Sequence, residues 1–121
     1  MPMPQDSIIR TKSKAFAVRI VKMTRFLQEK RHEHILSKQV LRSGTSIGAN
    51  VRESKNAQST ADFIHKLEIA LKESDETEYW LEILHETDYI DEEMFDSMIA
   101  DNKELTAMLT SIIKTTKNNN K

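Results

Sequence analysis

The two glycines of this chain, Gly44 and Gly48, lie four residues apart in the stretch 41–50, and no proline follows position 4. A glycine in a helix interior costs about 1 kcal/mol relative to alanine, so a pair inside one helix needs a structural reason. Apolar and small residues continue through the stretch at three- and four-residue spacing, which favours a helix over a loop or a kink. The pair therefore predicts a helix face stripped of side chains so that another helix or subunit can approach closely.

The composition indicates a single all-α domain. The chain has 121 residues, of which 31% are charged and 6% aromatic, and it contains no cysteine. The missing cysteine excludes disulfides, iron–sulfur clusters and thiol nucleophiles. No apolar run approaches the roughly 18–20 residues that a membrane span needs. Residues 1–6 lack the basic and apolar regions of a signal peptide, so we expect a soluble, cytoplasmic protein without membrane contact.

Hydrophobic periodicity predicts four helices, at about residues 7–31, 33–55, 60–89 and 92–116. Short connections between helices of this length favour an up-down-up-down four-helix bundle. The terminal segments 1–6 and 117–121 are expected to be disordered. The inner face of the third helix is the most regular, with Phe63, Leu67, Ala70, Ser74, Thr77, Leu81 and Leu84.

A second apolar stripe on the third helix predicts a contact with another subunit. Ile69, Trp80 and Ile83 lie on this stripe, which is well rotated from the inner face. The alternative is a wide core face that wraps Trp80 at its edge. The side of the second helix that carries Gly44 and Gly48 is about 100° from its core stripe, so these glycines are predicted to serve a second contact, to a neighbouring helix or, as part of the oligomer interface, to another subunit.

Charge is divided unequally along the chain. Residues 1–60 carry a net charge of +8 and residues 61–121 a net charge of −9, which together give −1. Basic side chains on the first two helices predict a sequence-independent surface for RNA or DNA phosphates, formed by Lys14, Lys22, Arg25, Arg42 and Arg52. The alternative is a protein-interaction scaffold, in which these charges pair within or between subunits with acidic neighbours such as Glu73, Glu76 and Glu82.

No catalytic, metal or cofactor site is predicted. Glu82-x-x-His85 and Asp62-x-x-His65 resemble half of a di-metal site of four-helix bundles. Both lie on the third helix, about 30 Å apart along its axis, so they cannot share a metal within one subunit. Glycine-rich phosphate loops and nucleophile motifs are missing as well.

Several motifs resemble one bacterial family. They are Leu41-Arg-Ser-Gly-Thr-Ser-Ile-Gly-Ala-Asn50, Asp62-Phe-Ile-His-Lys-Leu67 and Glu76-Thr-Glu-Tyr-Trp-Leu81. Over roughly residues 15–85 the chain resembles the four-helix-bundle proteins encoded in 23S ribosomal RNA intervening sequences.

The resemblance implies a four-helix bundle that assembles into a homopentameric ring and has no enzymatic activity. Similar proteins accompany diversity-generating retroelements, where they bind nucleic acid and a reverse transcriptase. That type is strongly basic, whereas the net charge here is −1. We expect a homopentamer that binds RNA or DNA through its first two helices, with a reverse transcriptase as partner only in a retroelement context.

Overall fold

Four helices account for most of the residues that the structure, a computed structural model, describes. The backbone is described for residues 4–119 and the side chains for residues 7–119. The helices are α1 (Pro4–Lys30), α2 (Leu36–Ser54), α3 (Thr60–Glu86) and α4 (Glu92–Asn119). No strand occurs between residues 4 and 119, as the all-α prediction requires.

Each helix packs against two neighbours, in the cyclic order α1, α2, α3, α4. Neighbouring helices are antiparallel: Arg42 near the middle of α2 pairs with Glu76, whereas Glu53 near its end pairs with Lys66 near the start of α3. The predicted up-down-up-down bundle is confirmed. None of the described helices combines the length and the apolar character needed to cross a membrane.

The core follows the apolar stripes predicted from the sequence. Phe16, Ile20 and Leu27 of α1 and Leu81 and Leu84 of α3 are at most 1% exposed. Burying a side chain of this size stabilises the fold by about 1.5–3 kcal/mol, so these stripes hold the four helices together.

Gly44 and Gly48 bring α2 against α1 of the same chain. A Cβ atom added at Gly44 would lie 2.7 Å from Cγ1 of Ile20, and one added at Gly48 would lie 3.2 Å from the carbonyl oxygen of Ser13. The predicted close approach therefore exists, but it joins two helices of one chain. Of the two contacts predicted for these glycines, the one with a neighbouring helix is present, and α1 occupies their bare face.

The contact between α3 and α4 contains a buried polar group instead. The Asn102 side chain is fully buried and donates to the carbonyl oxygen of Ser74 at 2.9 Å. Its Oδ1 accepts a hydrogen bond from the Ser74 hydroxyl at 3.0 Å, and that hydroxyl lies 2.7 Å from Oγ1 of Thr106. No buried side-chain nitrogen or oxygen in residues 7–119 lacks a partner, so this polar cluster is fully satisfied.

The connection between α1 and α2 is longer than predicted because Glu33 caps α2. The Glu33 carboxylate accepts hydrogen bonds from the backbone N–H groups of residues 35–37, at 2.7–3.2 Å. Burial opposes ionisation of Glu33, but these N–H donors outweigh it and hold its pKa below the ordinary value. Before the cap, His32 has a φ of 55° in the left-handed region, which ends α1 without a glycine.

α3 ends at Glu86, three residues before the predicted end, in a Schellman turn. Asp88 has a φ of 65°. The N–H of Tyr89 donates to the carbonyl of Leu84 at 2.9 Å, and that of Asp88 donates to the carbonyl of His85 at 3.1 Å. Aspartate tolerates the left-handed conformation, so no glycine marks this helix end in the sequence.

The two connections at this end of the bundle touch each other. Arg31 donates to the carbonyl oxygen of Tyr89 at 3.0 Å, and its guanidinium carbon lies 5.3 Å from the centroid of the Tyr89 ring. This cation–π contact and hydrogen bond join the α1–α2 connection to the α3–α4 connection.

The first and last helices extend further than predicted. α1 begins at Pro4, because proline is well tolerated in the first turn of a helix. α4 continues past Lys117, whose ammonium group pairs with Glu68 of α3 at 3.1 Å. The disorder predicted for the inner part of each terminal segment is therefore wrong. Residues 1–3 and 120–121 lie outside the described residues.

Candidate nucleic-acid interface

All five basic side chains predicted to bind nucleic acid are exposed to solvent, and four of them differ from Arg42 in their pairing. Lys14, Lys22 and Arg25 lie on α1, and Arg52 lies in the last turn of α2. None of the four forms an ion pair with the residues that the structure describes. We call this group the outer basic surface.

The spacing of the three α1 residues places them on one side of that helix. From Lys14 to Arg25 they extend over about 17 Å, which is about five base-pair steps of duplex DNA. Arg52 lies one turn beyond Gly48, which contacts Ser13 of α1. Arg52 therefore lies at the same end of the α1–α2 pair as Lys14.

Two valines of α1 lie among these charges. Val18 is 47% exposed and Val21 is 38% exposed. The outward side of α1 is thus basic and partly apolar. A surface of this kind suits a phosphate backbone or the acidic surface of another protein.

Arg42 occupies a different place, on the side of α2 that faces α3. It pairs with Glu73 at 2.6 Å and with Glu76. The hydrogen bonds to Glu73 and Glu76 raise the pKa of Arg42 above its ordinary value. The pKa of Glu76 is held below its ordinary value by a hydrogen bond from Trp80 and by Arg42. Arg42 is therefore engaged between α2 and α3, and we leave it out of the outer basic surface.

Two further basic residues of α1 are paired with α4. Lys12 lies 3.0 Å from Glu104, and Arg19 lies 2.6 Å from Asp101 and donates to Ser97 at 2.8 Å. Exposed pairs of this kind contribute about 0–1 kcal/mol each. The intrachain pairing of the scaffold alternative thus occurs on the α4 side of α1, whereas Lys14, Lys22 and Arg25 form no ion pair with the described residues.

The predicted subunit stripe of α3 is half-buried in the single chain. Ile69, Trp80 and Ile83 all keep part of their surface accessible. Trp80 packs partly against the core and donates its indole N–H to Glu76 at 3.0 Å. Tyr79, whose ring stands edge-to-face with that of Trp80 at 5.1 Å, is 55% exposed. An apolar and aromatic strip therefore remains on the outside of α3.

His85, the histidine of the Glu-x-x-His motif in α3, contacts α4. His85 lies 2.8 Å from Glu92 of α4 and stacks on Phe95, with 4.2 Å between the ring centroids. Between residues 4 and 119, no group of His, Asp or Glu side chains has the arrangement needed to hold a metal ion.

The sequence interpretation missed a cleft at the opposite end of the bundle, beside the α2–α3 connection. Lys55 and Phe63 are among its lining residues. The sequence signal for this site is the segment 54–61, which contains Lys55 and several polar residues but no acidic one. Nothing in the segment indicates that it borders a cleft, because the apolar lining comes from three other parts of the chain.

Comparisons with known proteins agree with this fold. The family model for the 23S rRNA-intervening sequence protein matches residues 5–111. A crystal structure of a protein with unknown function, from the S23 ribosomal protein family of Bacteroides thetaiotaomicron VPI-5482, is 55% identical. Its alignment covers 91% of this chain and 98% of that one, with a TM-score of 0.90. A search of curated proteins found no match.

Proposed function

Because the chain belongs to the family of 23S rRNA-intervening sequence proteins, we propose that it is a non-enzymatic, ring-forming bundle that binds RNA or DNA. The outer basic surface contacts phosphates and does not read the base sequence. The observation that carries this proposal is the division of charge around α1. Its α4 side is neutralised within the chain, while Lys14, Lys22 and Arg25 stay exposed and without ion pairs among the described residues.

Salt-dependent binding tests the nucleic-acid part of the proposal. Labelled RNA and DNA are titrated at several salt concentrations, and affinity is measured by fluorescence anisotropy. For duplex DNA the logarithm of the affinity should fall linearly with the logarithm of the salt concentration, by about 0.9 per phosphate contact. Duplexes of unrelated sequence should bind equally well.

Two double variants that remove the same charge test whether the outer basic surface makes the phosphate contacts. Lys22→Ala with Arg25→Ala should weaken binding and reduce the salt slope by about 2, because two phosphate contacts are lost. Lys103→Ala with Lys114→Ala removes the same charge from exposed positions of α4 and should leave the slope unchanged. Equal effects of the two double variants would place the contacts outside the outer basic surface.

The ring is proposed as a homopentamer in which one subunit's α3 meets the next subunit. The half-buried strip of Ile69, Trp80 and Ile83 supports this contact, because it leaves apolar surface on the outside of a single chain. A contact between unlike surfaces of neighbouring copies is heterologous, and it forms a ring when the rotation from one copy to the next closes. Light scattering should give five times the chain mass of 14.0 kDa.

A variant tests the position of this contact. Ile83→Glu places a charge in the strip and should shift the mass towards a single chain while the circular dichroism spectrum stays helical. Glu82→Lys, at the neighbouring exposed position, is the control for a change of charge alone. An unchanged mass for Ile83→Glu would remove α3 from the contact.

The second candidate is a protein-interaction scaffold without nucleic-acid binding. The pairing of Arg42 with Glu73 and Glu76 favours it, because a predicted nucleic-acid residue is there engaged by the acidic neighbours that this alternative names. An intact oligomer that binds neither RNA nor DNA at low salt would select the scaffold.

A further inference from the structure

A half-open cleft of about 660 Å³ lies at the end of the bundle that holds the α2–α3 connection. It is bordered by the first turns of α1, the last turn of α2, the start of α3 and the end of α4. Its volume falls within the range of small-molecule sites, about 300–1,000 Å³. It is separate from the outer basic surface, whose four residues do not line it.

The cleft is apolar inside and polar at its edge. Ile9, Val51 and Leu67 are buried side chains that line it, and the ring of Phe63 is half-buried between the core and the cleft. Lys55 is an exposed lining residue and forms no ion pair with the residues that the structure describes. The ring of Phe63 offers a flat apolar surface within the same cleft as the Lys55 ammonium group.

Lys55 has no acidic counterpart among the described residues that line the cleft. No aspartate or glutamate of residues 7–119 belongs to the lining, whereas Lys55 does. Of the acids nearest in sequence to the lining residues, Glu53 pairs with Lys66 at 3.2 Å, and Asp62 accepts a hydrogen bond from the backbone N–H of Gln58 at 3.2 Å. Such a cleft favours an anion joined to a flat apolar group.

We propose that the cleft binds a nucleoside monophosphate, with its phosphate at Lys55 and its base against Phe63. Two sources supply this chemistry: a free nucleotide, and the 5′-phosphorylated end of a nucleic-acid strand. The second source rests on the proposed function, whereas the first is independent of it.

Chemical-shift mapping of the full chain with AMP tests the site. Amide resonances of Lys55, Thr60 and Phe63 should move as AMP is added. Inorganic phosphate at the same concentration should bind much more weakly, because it makes no contact with Phe63. Shifts confined to the outer basic surface, no binding at millimolar AMP, or equal binding of inorganic phosphate would each overturn the nucleotide site.

Two variants measure separately how the Lys55 charge and the Phe63 ring contribute to AMP binding. Lys55→Ala should weaken AMP binding about tenfold, because a charge-assisted contact to phosphate is lost. Lys38→Ala, an exposed lysine near the other end of α2, is the matched control and should bind as the unaltered chain does. Phe63→Leu keeps an apolar side chain at the edge of the core but removes the stacking surface, and should weaken AMP binding about fivefold or more. Equal affinity in all three variants would contradict the assignment.

Oligoribonucleotides distinguish the two sources and keep the two proposals apart. If strand ends bind in the cleft, Lys55→Ala lowers the affinity of a 5′-phosphorylated strand but not of a 5′-hydroxyl strand. If the source is the free nucleotide, AMP binds and 5′-phosphorylation adds no affinity to a strand. Loss of the outer basic surface through Lys22→Ala with Arg25→Ala should weaken both strands equally and leave AMP binding unchanged. AMP binding without strand binding would therefore refute the proposed function and retain the cleft.

Discussion

The α1–α2 pair and the α3–α4 pair reach stable packing by opposite means. α2 lacks side chains at Gly44 and Gly48, so its backbone comes close to Ile20 and Ser13 of α1. Between α3 and α4, the side chain of Asn102 instead fills the space and bonds to its neighbours. The α1–α2 contact depends on the small volume of glycine. The α3–α4 contact depends on hydrogen bonds that only one alignment of the two helices satisfies. Substitutions should therefore damage the two pairs for different reasons.

The largest expected effect is at the glycine contact. Gly44→Leu should destabilise the fold by about 3 kcal/mol or more, because even a Cβ atom would lie 2.7 Å from the fully buried Ile20. Urea unfolding measures the loss. The same leucine at the exposed Ala49 should change stability little. If Gly44→Leu and Ala49→Leu unfold at the same urea concentration, the close packing of α1 and α2 is wrong.

The polar contact should be the next most sensitive. Asn102→Ala removes the buried amide, leaves a cavity and takes hydrogen bonds from Ser74, which together cost about 2–3 kcal/mol. Thermal or urea unfolding checks this loss. Asn118→Ala, at an exposed position of the same helix, is the control. Indistinguishable stabilities of the two alanine variants would show that the amide does not hold α3 and α4 together.

The two connections at one end of the bundle contain the caps of the helices that follow them, Glu33 for α2 and Asp91 for α4. Glu33→Ala should cost about 1–2 kcal/mol at neutral pH, because three backbone N–H groups of α2 lose their acceptor. Asp91→Ala, which removes the exposed acceptor of the Met94 N–H of α4, should cost about 0.5–1 kcal/mol. Urea unfolding at pH 7 compares them.

Acidity adds a second test of the Glu33 cap. The pKa of Glu33 is lower in the folded chain than its ordinary value of 4.5, so the ionised carboxylate stabilises the folded state. This contribution is complete above about pH 4.5 and is lost as the pH falls through the lowered folded-state pKa. The stability difference between the unaltered chain and Glu33→Ala should therefore shrink in strong acid. A difference that is constant between neutral and strongly acidic pH would rule out an ionised cap.

The smallest expected effects concern charge. Arg42→Ala should cost about 0.5–1 kcal/mol, since half of its side chain is exposed and solvent weakens its pairs with Glu73 and Glu76. Lys22→Ala should leave stability unchanged, because that lysine has no ion pair within the described residues. A stability loss of equal size in both variants would contradict the division between paired and outward charges.

Residue periodicity within one helix predicted much of this arrangement. It placed Leu67, Leu81 and Leu84 of α3 in the core, because each side chain's direction follows from its position along the helix. Periodicity does not show where a helix ends in a left-handed residue that is not glycine. His32 and Asp88 are such residues, and beside them the predicted end of α1 was wrong by one residue and that of α3 by three.

The features that depend on two helices were harder to predict. Arg42 looked equivalent to Arg52 in the sequence, but the register of α2 against α3 brings only Arg42 to an acidic pair. Asn102 looks unsuited to a core until Ser74 is placed opposite it. The cleft was missed for the same reason, since its lining combines residues from all four helices.

The contact of Arg31 with Tyr89 has a dynamic consequence for the whole end of the bundle. Local opening of the α1–α2 connection breaks this contact and takes a hydrogen-bond donor from the α3–α4 connection, so we expect the amide hydrogen exchange of the two segments to be coupled. Replacing Arg31 with alanine would let each connection open alone and at its own rate. The first and second halves of the chain, which carry opposite charge, are thereby coupled through two loops rather than through their helices alone.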